Sequence, residues 1–120
     1  MREEMIISIL SELNAGTKDI EASAVISLDG IIIASILPPG MDEERLGALN
    51  ATLVTLADRS ARELGRGQLE QVLVKGSNGY ILMTYTGEQA ILSVMTSPNA
   101  KLGLVTMDAK KAADSVSKVV

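Results

Sequence analysis

Apolar positions along the chain recur at two periods, and the changes between those periods outline its elements. Met5, Ile6, Ile9, Leu10 and Leu13 fall at helical spacing, and Asn14-Ala15-Gly16 offers a stop in which Gly16 can take the left-handed conformation. From Glu21 to Leu28 the period becomes two, with Ala22, Ala24, Ile26 and Leu28 alternating against Ser23 and Ser27. Asp29-Gly30 then leads into Ile31 to Leu37, which predicts a hairpin with a two-residue turn. Pro38-Pro39-Gly40 closes that strand. A long helix is expected from Asp42 to about Leu64: carboxylates at its start suit the helix dipole, and Gly65 marks its end. Asp58/Arg62 and Arg59/Glu63 sit at i,i+4 spacing within it. Gln68 to Lys75, Tyr80 to Thr86 and Gln89 to Thr96 read as strands of a meander, joined by Gly76-Ser77-Asn78-Gly79 and Gly87-Glu88. Leu102, Val105, Ala109, Ala112, Val116 and Val119 then predict a closing helix. The order is αββαβββα, and short turns make neighbouring strands antiparallel. This points to an α+β sandwich with a five-stranded antiparallel sheet and helices on both faces, a single domain over residues 1–120.

The long helix carries an anomaly. From Leu46 to Ala57 it has no charged residue, although a helix half in water normally does. Setting Leu46, Leu49, Leu53, Ala57 and Leu64 toward the sheet leaves Ala48, Ala51, Thr52 and Thr55 outward, small and neutral. Small residues let another backbone come close, so this face is expected to meet another chain. On the same wheel Arg59, Arg62 and Arg66 project outward together, either as a solvated helix end or as a patch for acidic groups of a partner.

Composition removes most chemistry. With no His and no Cys there is no imidazole acid/base, no thiolate and no ordinary zinc or haem site. Two Tyr and no Phe or Trp leave a core of Ile, Leu, Val, Ala and Met, without base-stacking platforms, and a net charge of −4 repels nucleic acid. The lone G-x-G at Gly65-Arg66-Gly67 leaves a helix C-terminus, whereas a phosphate loop enters a helix N-terminus, so it reads as a cap. Asp29 is half of a candidate carboxylate pair with Asp42 or Glu43, but Asp-Gly in a tight turn already accounts for it. Met83, Met95 and Met107 read as gap-filling core residues. No catalytic residue, metal site or cofactor is expected. The start Met1-Arg2-Glu3-Glu4 lacks the basic region of a secretory leader and no apolar run approaches membrane-spanning length, so a cytoplasmic protein without membrane insertion is expected.

Four segments together resemble the Roadblock (dynein light-chain type) family, its MglB-like bacterial and archaeal branch most of all. They are Val25 to Ser35, the long helix, Leu69-Glu70-Gln71-Val72-Leu73-Val74-Lys75-Gly76, and Lys101-Leu102-Gly103-Leu104-Val105. The resemblance implies a profilin-like sandwich in which two copies join through their third strands and second helices. It also implies a Ras-like small GTPase as partner, bound by a regulator that some members extend to GTPase activation. The alternative is a scaffold that recruits signalling, motor or membrane-associated complexes. Combined with the neutral helix face, it places Ala48, Thr52, Thr55, Arg59, Arg62 and Arg66 at the GTPase contact. The dimer contact is expected at Gly47, Ala51, Val54 and Asp58 of the helix and at Glu70, Val72, Val74 and Lys75 of the strand.

Overall fold

A computed structural model describes residues 2–120. The elements are α1 (Arg2–Gly16), β1 (Ile20–Ser27), β2 (Ile32–Ile36), α2 (Glu43–Glu63), β3 (Gln71–Gly76), β4 (Gly79–Thr86), β5 (Ala90–Thr96) and α3 (Leu102–Ser117), in the expected order. One antiparallel sheet has strand order β2-β1-β5-β4-β3, so β5 returns to the middle and β2 and β3 form the edges. A sequence read in order cannot reveal that crossover.

Alternation along the central strand sorts the core. Ala90, Leu92 and Val94 of β5 join Ile6, Leu10 and Leu13 of α1 and Val105, Ala109 and Val116 of α3 in one cluster. On the opposite face Ile91 packs with Met83 and Val54, while Met95 packs with Ala24, Ile26 and Leu46 under α2. Two helices thus cover one face and α2 alone covers the other. Among the described residues no helix is long and apolar enough to cross a membrane, and the reading of the extreme N-terminus rests partly on Met1, outside those residues.

Several local expectations change. Gly16 stays helical as the last residue of α1 instead of turning left-handed. The β1–β2 connection is a three-residue loop, Leu28-Asp29-Gly30: the Gly30 N–H donates to Ser27 O at 2.9 Å, and Gly30 has φ +91°. This is a type I turn followed by a left-handed glycine, and further along the ladder a separate register shift falls between Val25 and Ile26. Likewise β4 and β5 are joined by three residues, Gly87 to Gln89. β3 begins at Gln71, not Gln68, because its ladder with β4 starts with Gln71 opposite Thr84. Met83 is core, whereas Met107 is exposed on α3.

Candidate protein-interaction surface on α2

Asp42 caps α2 by accepting from the Arg45 N–H at 3.2 Å. At the other end Arg66 N–H donates to Ala61 O and Gly65 N–H to Arg62 O, with Gly65 at φ +70°. That pair of bonds is a Schellman motif, so the G-x-G segment is spent closing the helix.

The face α2 turns inward is not the leucine face. Leu46, Gly47, Asn50, Ala51 and Val54 are buried, whereas Leu49 is 55% exposed, Leu53 37% and Leu56 60%. The expected orientation is therefore corrected: Leu49, Leu53 and Leu64 point away from the sheet and Ala51 points toward it. Gly47, Ala51 and Val54, expected at a dimer contact, pack inside their own chain. The cause is a close backbone approach. A Cβ on Gly47 would stand 2.1 Å from Gly30 O, and one on Gly30 would stand 3.3 Å from Gly47 O. The β1–β2 turn lies directly against α2 there, and only the small-residue stripe of the helix can meet it. Asp58 is half-buried, beside Tyr85 of β4.

Two outward surfaces result. Leu49, Leu53, Leu56 and Ser60 follow a four-three-four spacing, which makes a seam along one flank. The adjoining side, Ala48, Ala51, Thr52, Thr55, Leu56 and Arg59, joins Leu28 and Asp29 of the β1–β2 turn in an open groove of about 550 Å³, so Leu56 borders both surfaces. The Thr52 hydroxyl donates back to Ala48 O at 2.8 Å, so its methyl is what the groove presents. Leu28 and Asp29 were not legible as groove residues, since nothing local relates a hairpin tip to a helix flank.

The three arginines are exposed and each is held by a different partner. Arg59 lines the groove, pairs with Glu63 and is 75% exposed. Arg62 turns to Asp58 at 3.1 Å, near Tyr85. Arg66 lies beyond the helix end, where its Nε donates to Leu64 O at 3.1 Å. Both ion pairs are surface pairs, worth little to stability. Burial, and secondarily the Asp58 carboxylate, raises the Tyr85 phenol above its ordinary value of 10.0, with Arg62 partly opposing. The unfolded chain therefore loses that proton first, so this contribution to stability is present below pH 10 and declines as pH rises through the folded value. Tyr85→Phe is expected to flatten the alkaline loss, measured by denaturant unfolding at mildly and strongly alkaline pH.

Val72 and Val74 of β3 are half-buried beneath α2, Glu70 just before the strand and Lys75 within it are exposed, and Lys75 Nζ lies 5.9 Å from the centre of the Tyr80 ring. The two sheet edges differ. β2 has five residues, faces the register shift of β1 and runs into Pro38-Pro39, all of which discourage further pairing. β3 has six residues in unbroken register, so its outer backbone row is regular and open. Among the described residues no cluster of three acidic, His or Cys side chains is placed to hold a metal.

Residues 6–96 match the Roadblock/LC7 domain. The chain belongs to this family. An uncharacterized Methanocaldococcus jannaschii protein, MJ0310, is 42% identical over 112 residues, 93% of this chain and 96% of that one. Myxococcus xanthus MglB superposes with a TM-score of 0.89 at 23% identity, covering 97% of this chain and 87% of that one. Acanthamoeba castellanii profilin II gives 0.67 at 18% identity over 92% and 95% of the two chains, which makes the fold of this Roadblock/LC7 domain profilin-like.

Proposed function

We propose that this Roadblock/LC7 domain is a homodimeric regulator of a Ras-like small GTPase, without catalytic chemistry of its own. The leucine seam on α2 carries the reading. Three half- to mostly exposed leucines beside an open strand edge form an apolar surface that a monomer has no use for. A second copy suits it. With a two-fold axis between Leu53 and Leu56, antiparallel α2 helices oppose Leu53 to Leu56, and bring the acidic start at Asp42 near the partner's basic end at Arg66. β3 then meets its own copy antiparallel, with Glu70 and Lys75 near opposite ends.

Self-association centred on Leu53 and Leu56 covers the groove's Leu56 border and leaves its side at Leu28, Asp29, Ala48 and Thr52 open. Its neutral floor at Ala48 and Thr52 and its rim at Asp29 and Arg59 suit a partner that offers an apolar centre with charged edges. The resemblance to MglB-like members suggests a Ras-like GTPase as the partner class, and we propose that its GTP form is the one bound. Arg59 contributes charge-assisted bonds to acidic groups of the partner, and Arg62 and Arg66 extend that basic end. One GTPase spanning two symmetry-related α2 helices gives two of these chains per GTPase.

The test loads the cognate GTPase with a GTP analogue or with GDP and titrates it against wild type and Arg59→Ala/Arg62→Ala. Tighter binding of the GTP form is expected, with weaker binding by the variant and a difference that shrinks as salt rises. Equal affinity for the two nucleotide states removes the regulator reading in favour of the scaffold.

A further inference from the structure

Among the described residues, two buried side-chain polar atoms beneath α2 have no hydrogen-bond partner: Asn50 Oδ1 and Ser93 Oγ. Asn50 is 3% exposed and Ser93 2%. Such orphans are rare in native proteins, because each gives up the bonds that water supplied before folding. The Asn50 amide has no freedom to reverse its roles. Its Nδ2 donates to Leu46 O at 2.8 Å, which commits that nitrogen and leaves Oδ1 as a bare acceptor.

Both orphans lie on the α2 side of the sheet, each at the boundary between two apolar clusters. The apolar packing on the α2 side of the sheet is split into two clusters, one built on Ala24, Ile26 and Leu46, the other on Val54, Met83 and Ile91. Asn50 is one helical turn after Leu46 and one before Val54, so it stands over the division. Ser93 pairs with Ala24 of β1 and with Met83 of β4, one residue from each cluster, and shares its sheet face with Ile91. The opposite side of the sheet has no such division, its core being one continuous cluster.

We propose that a single water molecule is bound in this joint, donating one hydrogen bond to Asn50 Oδ1 and accepting one from the Ser93 hydroxyl. The donor set selects that ligand. One neutral acceptor and one rotatable hydroxyl complement a water, whereas a hard cation demands six or more oxygens. The neighbouring backbone is already spent, on one side in the α2 helix and on the other in the β1–β5–β4 ladders. Apolar contact alone tolerates rotation of a helix about its axis, and hydrogen bonds do not. The bridge therefore acts with the Gly30–Gly47 contact to hold α2 at the angle that keeps Leu49, Leu53 and Leu56 outward, and Asn50 is a positioning residue for that surface.

Water oxygen-17 relaxation dispersion on the unmodified protein tests this without any substitution, and a hydroxyl proton exchanging with solvent does not mimic its signal. A long-lived water is expected in wild type and is expected to be lost in Ser93→Ala. A double-mutant cycle of Ser93→Ala with Asn50→Leu is the second measurement. A shared water makes the two effects on the unfolding constant non-additive by about three- to tenfold, the range of one net hydrogen bond. If Asn50→Leu does not fold, Ser93→Ala alone carries the comparison. No long-lived water in wild type, a signal unchanged in Ser93→Ala, or strict additivity overturns the proposal.

Discussion

Leu53→Arg and Leu56→Arg are each expected to convert the dimer into a folded monomer. Both side chains are exposed in the single chain, so an arginine there meets water and leaves the core of Ala24, Ile26, Val54 and Met83 intact. In the dimer each substitution acts twice, once per protomer, because two-fold symmetry opposes Leu53 to Leu56. Burying one leucine contributes about 1.5–3 kcal/mol. Losing two contributes about 3–6 kcal/mol, a weakening of the dissociation constant by roughly a hundredfold to ten-thousandfold. Sedimentation equilibrium of wild type and variants measures this, with far-ultraviolet circular dichroism as the check on folding. A wild-type chain that sediments as a monomer at micromolar concentration removes the dimer. The same experiment with Ala51→Arg has a different expected outcome. Ala51 faces its own sheet at 9% exposure, so the charge enters the chain's own core and the variant loses stability as well as association.

Gly47→Ala is expected to destabilise the domain although alanine is the better helix former. The new methyl would stand 2.1 Å from Gly30 O, a backbone atom that cannot swing aside as a side chain would. Alanine's helical advantage is about 1 kcal/mol, and overpacking a tight contact costs about 1–3 kcal/mol, more where backbone must move. Relief requires α2 to lift from the β1–β2 turn, which also opens the groove lined by Leu28 and Thr52. Gly103→Ala is the matched control: that glycine also lies in a helix, and nothing stands within 4 Å of its missing methyl. Thermal unfolding should show Gly47→Ala melting several degrees below wild type and Gly103→Ala at or slightly above it. Equal behaviour of the two would show that the turn and the helix yield freely.

Much of this architecture was readable in one dimension. Element order, turn positions and the G-x-G cap depend on neighbours within a few residues, where periodicity, glycine and proline act directly. The segments carrying the Roadblock resemblance are of the same kind, and the family assignment agrees with them. Which flank of α2 faces inward is a different sort of question. Leu46 with Leu49 and Leu53, and Leu46 with Asn50 and Val54, are equally good helical stripes, and hydrophobicity alone favours the first.

What the sequence determined by itself is the set of elements and the absence of His and Cys chemistry. The tertiary structure decided how those elements face one another. The left-handed Gly30 carries the hairpin tip across to residue 47, and at that distance only a helix stripe of glycine and alanine fits. Sterics at one backbone contact therefore outweigh the larger apolar area of the leucines and turn them outward. The same rotation closes a groove around Leu28 and Asp29, residues that local spacing never links to α2. Contacts between residues distant in the chain set these arrangements, and their geometry exists only once the sheet has formed.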